Sequence, residues 1–269
     1  MTVTDDTALK QRHRSMWASG HYSDVARDLL PRLAERIVEA AGIGPGQRVL
    51  DIAAGSGNLS VVAARAGADV VASDLTPELL EQGRAAHPDL PITWETADAE
   101  ALPYDDGVFD AAISCVGIMF APHHRAAADE MLRVTRPGGR ICVASWTPEG
   151  FIGGLFATMR DFVPPPPAGV QPPPLWGKEE HVRELLGEQV TDLELTRERL
   201  VVDRFADGPE FRDYFKVNYG PTLMAYRGLA EEPDRVVALD AAIDELVAGA
   251  DLGGGRMEWE YLLLNATRR

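Results

Sequence analysis

Two closely spaced glycines follow a short apolar run near residue 50. Val49-Leu-Asp-Ile-Ala-Ala-Gly-Ser-Gly57 begins as a strand-like segment, and helical spacing starts at Asn58. Glycine allows a tight turn and a close approach of the backbone to a ligand, and the first N–H groups of a helix are free to bind an anion. The segment therefore predicts a ligand-binding turn, although a turn from strand to helix also selects glycine on steric grounds alone.

Asp74 follows Asp51 by 23 residues and ends a second apolar run. In a doubly wound sheet the two run ends lie side by side at the carboxyl edge, where a carboxylate can accept hydrogen bonds from both hydroxyls of a ribose. Asp74 could instead only cap the next helix, but Thr76 already suits that position. We therefore favour the ribose-binding role.

Five segments in a fixed order resemble the successive motifs of class I S-adenosylmethionine-dependent methyltransferases. They span about residues 45–150 and comprise Val49–Gly57, Asp74, Ala97-Asp-Ala-Glu-Ala-Leu-Pro-Tyr104, Phe109-Asp110 and Leu132-Arg-Val-Thr-Arg-Pro-Gly-Gly139. The resemblance implies an α/β fold with a doubly wound, mainly parallel seven-stranded sheet, Rossmann-like, under a helical cover. It also implies S-adenosyl-L-methionine as the cofactor and methyl transfer to a small molecule, at a natural-product hydroxyl, amine or carbon.

The resemblance further implies roles for individual residues. Gly55 and Gly57 are expected to approach the methionine part of the cofactor, Asp74 to hold its ribose, and Asp98 with Ala99 to contact its adenine. The full set of expected cofactor-binding residues is Asp51, Ala53, Gly55, Gly57, Asn58, Asp74, Leu75, Asp98, Ala99 and Cys115. Ala53 and Ala54 depart from the glycine or cysteine common in the family, and we expect binding to survive because alanine is small.

Two other functions use similar features. A nicotinamide-dependent oxidoreductase also needs a glycine turn and a ribose-binding acid, but its G-x-G-x-x-G spacing aligned on Gly55 requires glycine where this chain has Ala53 and Asn58. The second alternative is a protein that binds S-adenosylmethionine and uses it structurally or to assist a rearrangement. Turnover of the cofactor to S-adenosylhomocysteine separates this alternative from methyl transfer.

Methyl transfer from a sulfonium depends mainly on proximity and alignment, and a hydroxyl acceptor additionally needs a base. His123 and His124 follow the fourth predicted strand and are the predicted catalytic residues, with His124 favoured because Pro122 leaves His123 in the first turn of a helix. The two histidines could also simply begin that helix. The predicted acceptor-binding or lid residues are Trp17, Tyr22, Met119, Trp146, Phe151, Tyr214 and Tyr219.

The elements that position these residues alternate between strand and helix after residue 45. Residues 5–41 predict two helices, with Ser23 or Asp24 capping the second, and a glycine-rich break follows. Five strands that alternate repeatedly with helices then predict a mainly parallel sheet, and a turn is expected at Arg136–Gly139. Beyond a Pro-rich surface connection, two late strands are expected to pair antiparallel at the sheet edge. We divide the chain into covering helices (1–45), a cofactor-binding core (46–150) and a third part (151–269) that completes the same sheet.

Composition limits the partners. The 269 residues include 26 Lys and Arg against 42 Asp and Glu, a net charge of −16 that opposes nucleic-acid phosphates. No run approaches the ~18 apolar residues of a membrane span, and we expect a cytoplasmic enzyme without a membrane or nucleic-acid partner. Cys115 and Cys142 are well separated, which predicts neither a disulfide nor a metal site. A homodimer is left open.

Overall fold

The computed structural model describes the backbone of residues 3–269 and the side chains from residue 6 onward. The strands in this part of the chain are β1 (Arg48–Ile52), β2 (Asp69–Asp74), β3 (Ile92–Thr96), β4 (Phe109–Cys115), β5 (Thr135–Trp146), β6 (Val190–Val202) and β7 (Met257–Arg268). The α-helices are α1 (Val3–Ala18), α2 (Tyr22–Leu29), α3 (Pro31–Ala41), α4 (Asn58–Arg65), α5 (Pro77–Ala86), α6 (His124–Val134), α7 (Phe151–Arg160), α8 (Glu179–Leu186), α9 (Gly208–Asn218), α10 (Gly220–Gly228) and α11 (Pro233–Ala250).

The strands form one seven-stranded sheet in the order β3-β2-β1-β4-β5-β7-β6. The first five strands are parallel to one another, and β7 pairs antiparallel with both β5 and β6. The predicted fold class is therefore confirmed, as is the antiparallel pairing of the two late strands. Consecutive residues of β1, β2 and β4 are buried, as expected for parallel strands covered on both faces.

The N-terminal region contains three helices instead of the two that were predicted. Pro31 occupies the first turn of α3, and Leu30 is the residue at which α2 ends and α3 begins. A proline fits the start of a helix but not its interior, so Pro31 divides the apolar helical spacing of residues 25–38 between two helices. The cap of α2 is also not the predicted one, because His21 precedes the helix and Ser23 and Asp24 lie inside it.

Two further differences concern β5 and α7. Strand β5 begins at Thr135 and includes the residues for which a turn was predicted, with an irregular pairing between Phe109 and Ala111 of β4 that accommodates them. Helix α7 was not predicted, although Phe151, Ile152, Leu155 and Met159 are all buried and recur at helical spacing.

Helices α1 and α2 lie over the carboxyl ends of the central strands, together with the helices inserted between β6 and β7. Trp17 of α1 packs edge-to-face against Tyr219, just after α9, with ring centroids 5.8 Å apart. This cover closes the edge of the sheet where the sequence motifs meet. Within the described residues, no helix combines the length and the apolar character needed to cross a membrane.

Candidate active site

The glycine turn after β1 is joined to the end of β2 through Asp74. The backbone N–H of Gly55 donates to Asp74 Oδ2 at 2.8 Å, and the N–H of Thr76 donates to Asp74 Oδ1 at 2.7 Å. Burial raises the pKa of Asp74, and the hydrogen bonds from Thr76 and Gly55 counteract part of the rise. Thr76 starts α5 as predicted, but its hydroxyl interacts with Asp74 rather than capping the helix. Asp74 is thus held in one orientation with lone pairs left for a ligand.

The ends of β1 and β4 approach each other with strained backbone conformations. Ala53 (φ 55°) and Val116 (φ 47°) adopt left-handed conformations that residues other than glycine rarely take. A Cβ at Gly117 would lie 2.2 Å from the carbonyl oxygen of Ala53, so only glycine allows this contact. Such strain persists where the surrounding structure enforces it, and it clusters at ligand sites.

Asp51 is a buried carboxyl group with one unsatisfied oxygen. Its Oδ2 accepts from the hydroxyl of Ser60 at 2.6 Å, whereas Oδ1 has no hydrogen-bond partner among the described residues. Burial raises the pKa of Asp51 to about 7, a rise that the Ser60 hydrogen bond limits and the nearby Asp74 increases. A buried carboxylate beside the glycine turn favours a positively charged ligand group.

Gly57 and Gly83 provide the space for one aromatic side chain. A Cβ at Gly57 would lie 2.3 Å from Cη2 of Trp94, and a Cβ at Gly83 would lie 2.5 Å from the same ring. Trp94 of β3 therefore wedges between the glycine turn and α5, which fixes the turn relative to the sheet.

A cleft opens between this edge of the sheet and α1. Of the residues predicted to bind the cofactor, those in its wall are Ala53, Gly55, Asp74, Leu75, Asp98 and Ala99, and the predicted lid residues Trp17 and Tyr22 also line it. Asp51, Gly57, Asn58 and Cys115 lie outside the wall of the cleft. Asn58 Nδ2 contacts Cys115 Sγ at 3.7 Å, and burial raises the pKa of that thiol to about 12.

Helix α1 contributes two cleft residues that sequence reasoning missed, Lys10 and His13. Together with Trp17 they recur at intervals of three and four residues, which places them on one helix face. This spacing could have identified Lys10 and His13 from the sequence. However, the polar character of α1 is also typical of a helix exposed to solvent. Burial lowers the pKa of His13, and its hydrogen bond to the backbone of Phe120 opposes that shift.

Lys10 ties α1 to the loop after β3. Its Nζ lies 2.6 Å from Glu100, 2.8 Å from Asp98 and 3.1 Å from Asp6, and we call these four residues the Lys10 cluster. Three carboxylates around one half-buried ammonium fix α1 across the cleft, next to the predicted adenine-binding Asp98.

The structure does not place His123 or His124 in the wall of the cleft, contrary to the predicted base. His123 precedes α6, and its Nε2 lies 3.0 Å from Asp6. His124 is fully buried, and its Nδ1 lies 2.9 Å from Nε2 of His181 in α8. Burial lowers the pKa of His124 to about 4. The wall of the cleft includes Ile118, Phe120 and Pro122 but not the two histidines that follow, so helical rotation does not bring His124 into the cleft as we expected.

A second, smaller cavity shares Tyr22, Val116 and Phe120 with the cleft. Of the predicted acceptor-binding residues, Tyr22, Trp146 and Tyr219 line it. Phe151 lies behind the wall, stacked on Trp259 with ring centroids 5.3 Å apart. The other two predictions do not reach the cavity: Met119 is buried elsewhere, and Tyr214 donates to Asp28 at 3.0 Å.

Comparison with known families matches residues 50–143 to the methyltransferase domain. An uncharacterized protein of Mycobacterium tuberculosis is 50% identical over 267 residues, which cover 98% of this chain and 97% of that protein. A demethylmenaquinone methyltransferase of Renibacterium salmoninarum is 42% identical over 141 residues, which cover 51% of this chain and 58% of that protein.

Solved structures share the fold at low sequence identity. The YcgJ protein of Bacillus subtilis has a TM-score of 0.60 and 17% identity, covering 88% of this chain and 98% of that chain. Phosphoethanolamine N-methyltransferase 2 of Haemonchus contortus, solved in complex with S-adenosyl-L-methionine, has a TM-score of 0.54 and 18% identity. The match covers 88% of this chain and 52% of that chain. At these identities the likeness concerns the fold alone.

Proposed function

Because the chain belongs to the class I S-adenosylmethionine-dependent methyltransferases, we propose that it transfers the methyl group of that cofactor to a small-molecule acceptor. The observation that carries this proposal is the shared wall of the cleft and the aromatic cavity, formed by Tyr22, Val116 and Phe120. Two spaces that meet at one wall can bring a cofactor and a small acceptor into contact while excluding water.

The residues of the cleft fit S-adenosylmethionine. Asp74 retains lone pairs for ribose hydroxyls, and Asp98 offers a carboxylate at the end of the cleft where adenine is expected. Asp51 lies behind the wall of the cleft, where its buried Oδ1 has no hydrogen-bond partner among the described residues. Gly55 also lines the cleft, and the ring of Tyr22 lies 3.4 Å from the position that a Cβ of Gly55 would occupy. When bound, the cofactor supplies an electrophilic methyl group on a sulfonium.

Several observations support a small acceptor over a polymer. Helices α1 and α2 cover the cleft, and the Lys10 cluster holds α1 in place. The net charge of −16 opposes approach of a nucleic acid. The relative from R. salmoninarum is named for demethylmenaquinone, itself a small molecule.

For a hydroxyl acceptor we assign the base to His13. Among the described residues it is the one histidine in the wall of the cleft. Its lowered pKa keeps the imidazole neutral near neutral pH, so one ring nitrogen can accept a proton while the other is held by the backbone of Phe120. Methyl transfer to a neutral amine needs no such base.

The experiment is a two-part assay on the full chain. Calorimetric titration is expected to show binding of S-adenosylmethionine and S-adenosylhomocysteine but not of NAD or NADP. A screen with methyl-labelled cofactor and a library of phenols, alcohols, amines and polyketide-like compounds is then expected to yield S-adenosylhomocysteine and a labelled product. Binding without consumption by any acceptor would contradict methyl transfer and favour a structural use of the cofactor.

A further inference from the structure

The aromatic cavity beside the cleft has a wall without charged side chains. It lies among α2, α7, α9 and the ends of β4, β5 and β7, and its rings are those of Tyr22, Phe120, Trp146, Phe215, Tyr219 and Trp259. An unpaired charge buried in such a wall would lose its hydration without compensation. The chemistry of the wall therefore selects an uncharged, apolar ligand.

Two residues of this wall carry a polar atom that has no partner. The hydroxyl of Tyr219 and the indole Nε1 of Trp259 make no hydrogen bond to any described residue, although the two side chains are only 5% and 1% exposed. A buried donor without a partner destabilises the folded state, and such groups are uncommon in native proteins.

Two other tyrosine hydroxyls of the same region do have partners. The hydroxyl of Tyr226 donates to Asp240 at 2.7 Å, and that of Tyr261 donates to Glu198 at 2.7 Å. Neither of these tyrosines lines the cavity. Tyr219 and Trp259 do line the cavity, and each carries an unpaired hydrogen-bond donor.

We propose that this cavity binds the methyl acceptor, and that the acceptor is an uncharged ring compound whose carbonyl or hydroxyl oxygen accepts hydrogen bonds from Tyr219 and Trp259. The inference rests on the proposed function, because the shared wall places such a ligand next to the cofactor cleft. Tyr219 and Trp259 are then specificity-determining residues, since an analogue without the oxygen leaves both donors unpaired.

The size of the cavity adds a requirement. Its volume of about 20 Å³ is close to the space of one water molecule. A ring compound therefore binds only when side chains of the shared wall move, and Tyr22 is placed to do so because it lies on the first turn of α2. Binding of the acceptor thus requires movement of the Tyr22 side chain.

The test uses three naphthalene probes with the full chain saturated with S-adenosylhomocysteine, so that no turnover occurs. The probes are 2-naphthol, 2-methylnaphthalene, which lacks the oxygen, and 2-naphthoate, which is charged. Equilibrium dialysis gives their dissociation constants for the unmodified protein and for Tyr219→Phe and Trp259→Phe. The matched control is Trp176→Phe, because the buried indole of Trp176 is also unpaired but does not line the cavity.

We expect 2-naphthol to bind best and each of the two cavity variants to weaken its binding by about tenfold, the loss of one hydrogen bond. Binding of 2-methylnaphthalene is expected to be unchanged in both variants, and Trp176→Phe is expected to change neither probe. The melting temperature of Tyr219→Phe is expected to equal or exceed that of the unmodified protein, since its hydroxyl has no partner to lose.

Absence of 2-naphthol binding, equal binding of 2-naphthoate, or unchanged 2-naphthol binding in both cavity variants would each overturn the inference. These outcomes are separable from failure of the proposed function. Consumption of S-adenosylmethionine with a charged acceptor would leave methyl transfer intact and remove only the inferred ligand class. Conversely, if the three probes bind in the expected order of affinity but no acceptor leads to consumption of the cofactor, the proposed methyl transfer is contradicted. The assignment of the cavity as a binding site for an uncharged ring compound then still holds.

Discussion

The ammonium of Lys10 lies 2.8 Å from the carboxylate of Asp98 and so joins the first helix of the chain to the loop after the third strand. Burial alone would lower the pKa of Lys10, but the hydrogen bonds to Asp98, Glu100 and Asp6 raise it above its usual range. The residue therefore stays charged, and α1 is held over the cleft at the end where adenine is expected to bind.

Replacing Lys10 by Met is expected to loosen α1, because three carboxylates then face one another without a cation. We expect a roughly fivefold loss of S-adenosylmethionine affinity, about 1 kcal/mol, and faster amide hydrogen exchange in residues 8–18. Arg14→Met is the control, since Arg14 on the same helix makes an exposed pair with Glu78 at 3.1 Å. Equal effects of the two variants would show that the Lys10 cluster has no special role.

The substitution Asp74→Ala is expected to weaken cofactor binding by about 1.5–3 kcal/mol, the range for hydrogen bonds to a charged group. The variant also loses the two backbone hydrogen bonds that hold the glycine turn, so the melting temperature is expected to fall as well. Calorimetry and thermal melts measure the two effects separately. Asp69→Asn, an exposed change at the start of the same strand, is the control; an unchanged dissociation constant in folded Asp74→Ala would assign Asp74 a structural role only.

Asp51 makes stability depend on pH in a defined direction. Its pKa is about 7 in the folded chain against an ordinary value of 3.8, so the folded state binds more protons between these values and stability falls as pH rises through that window. Asp51→Asn is therefore expected to be more stable than the unmodified protein at pH 8, by on the order of 2 kcal/mol, with the difference vanishing near pH 4. Denaturant unfolding between pH 4 and pH 8 measures the stability difference between the variant and the unmodified protein. The exposed Asp105→Asn is the control for removing one surface carboxylate. A stability difference that does not change with pH would contradict the raised pKa of Asp51.

The pKa of His124 makes stability depend on pH in the opposite direction. Its pKa of about 4 lies below the ordinary 6.5, so the unfolded chain takes up the extra proton and stability falls as pH drops from 6.5 toward 4. His124→Gln is expected to destabilise the protein at pH 8 and to lose much of that penalty by pH 5. A destabilisation that grows toward low pH would show that the imidazole is charged in the folded state.

Turnover with the acceptor found in the screen distinguishes the histidines. Since neither lines the cleft, His123→Gln and His124→Gln are expected to retain turnover within about twofold, whereas His13→Gln is expected to lose on the order of 10²-fold if the acceptor is a hydroxyl. Cofactor affinity measured in parallel controls for a displaced α1. Loss of turnover in His124→Gln with normal stability would restore the original prediction.

Sequence patterns predicted the parts of the site that depend on local geometry. The glycine turn, Asp74 and Asp98 each follow a strand, and the order of the strands brings all three to one edge without further information. Six of the ten residues predicted to bind the cofactor accordingly line the cleft, and their role in binding stays a prediction. The antiparallel strand β7 could also be predicted from the sequence, because an alternating pattern of apolar and polar residues follows a helical insertion.

The acceptor side could not be predicted in the same way, because it is built from contacts between distant segments. Trp259 meets Tyr219 and Tyr22 only after the helices between β6 and β7 fold back over the sheet. The position of His124 outside the cleft was unpredictable for a related reason, since its surroundings are set by His181 in α8, 57 residues away. Helical rotation fixes the angle between neighbouring side chains but not which neighbour the helix packs against.

The wedge of Trp94 between Gly57 and Gly83 has an evolutionary consequence. Because a methyl group at either glycine would overlap the indole, the three positions form a single steric unit, and a change at one is tolerated only with a compensating change at another. In a directed-evolution library, alanine at position 57 is expected to survive selection only alongside a smaller side chain at position 94. Homologues that carry a bulkier residue at 57 or 83 are expected to lack tryptophan at 94, so covariation among these positions would identify relatives whose glycine turn is set differently.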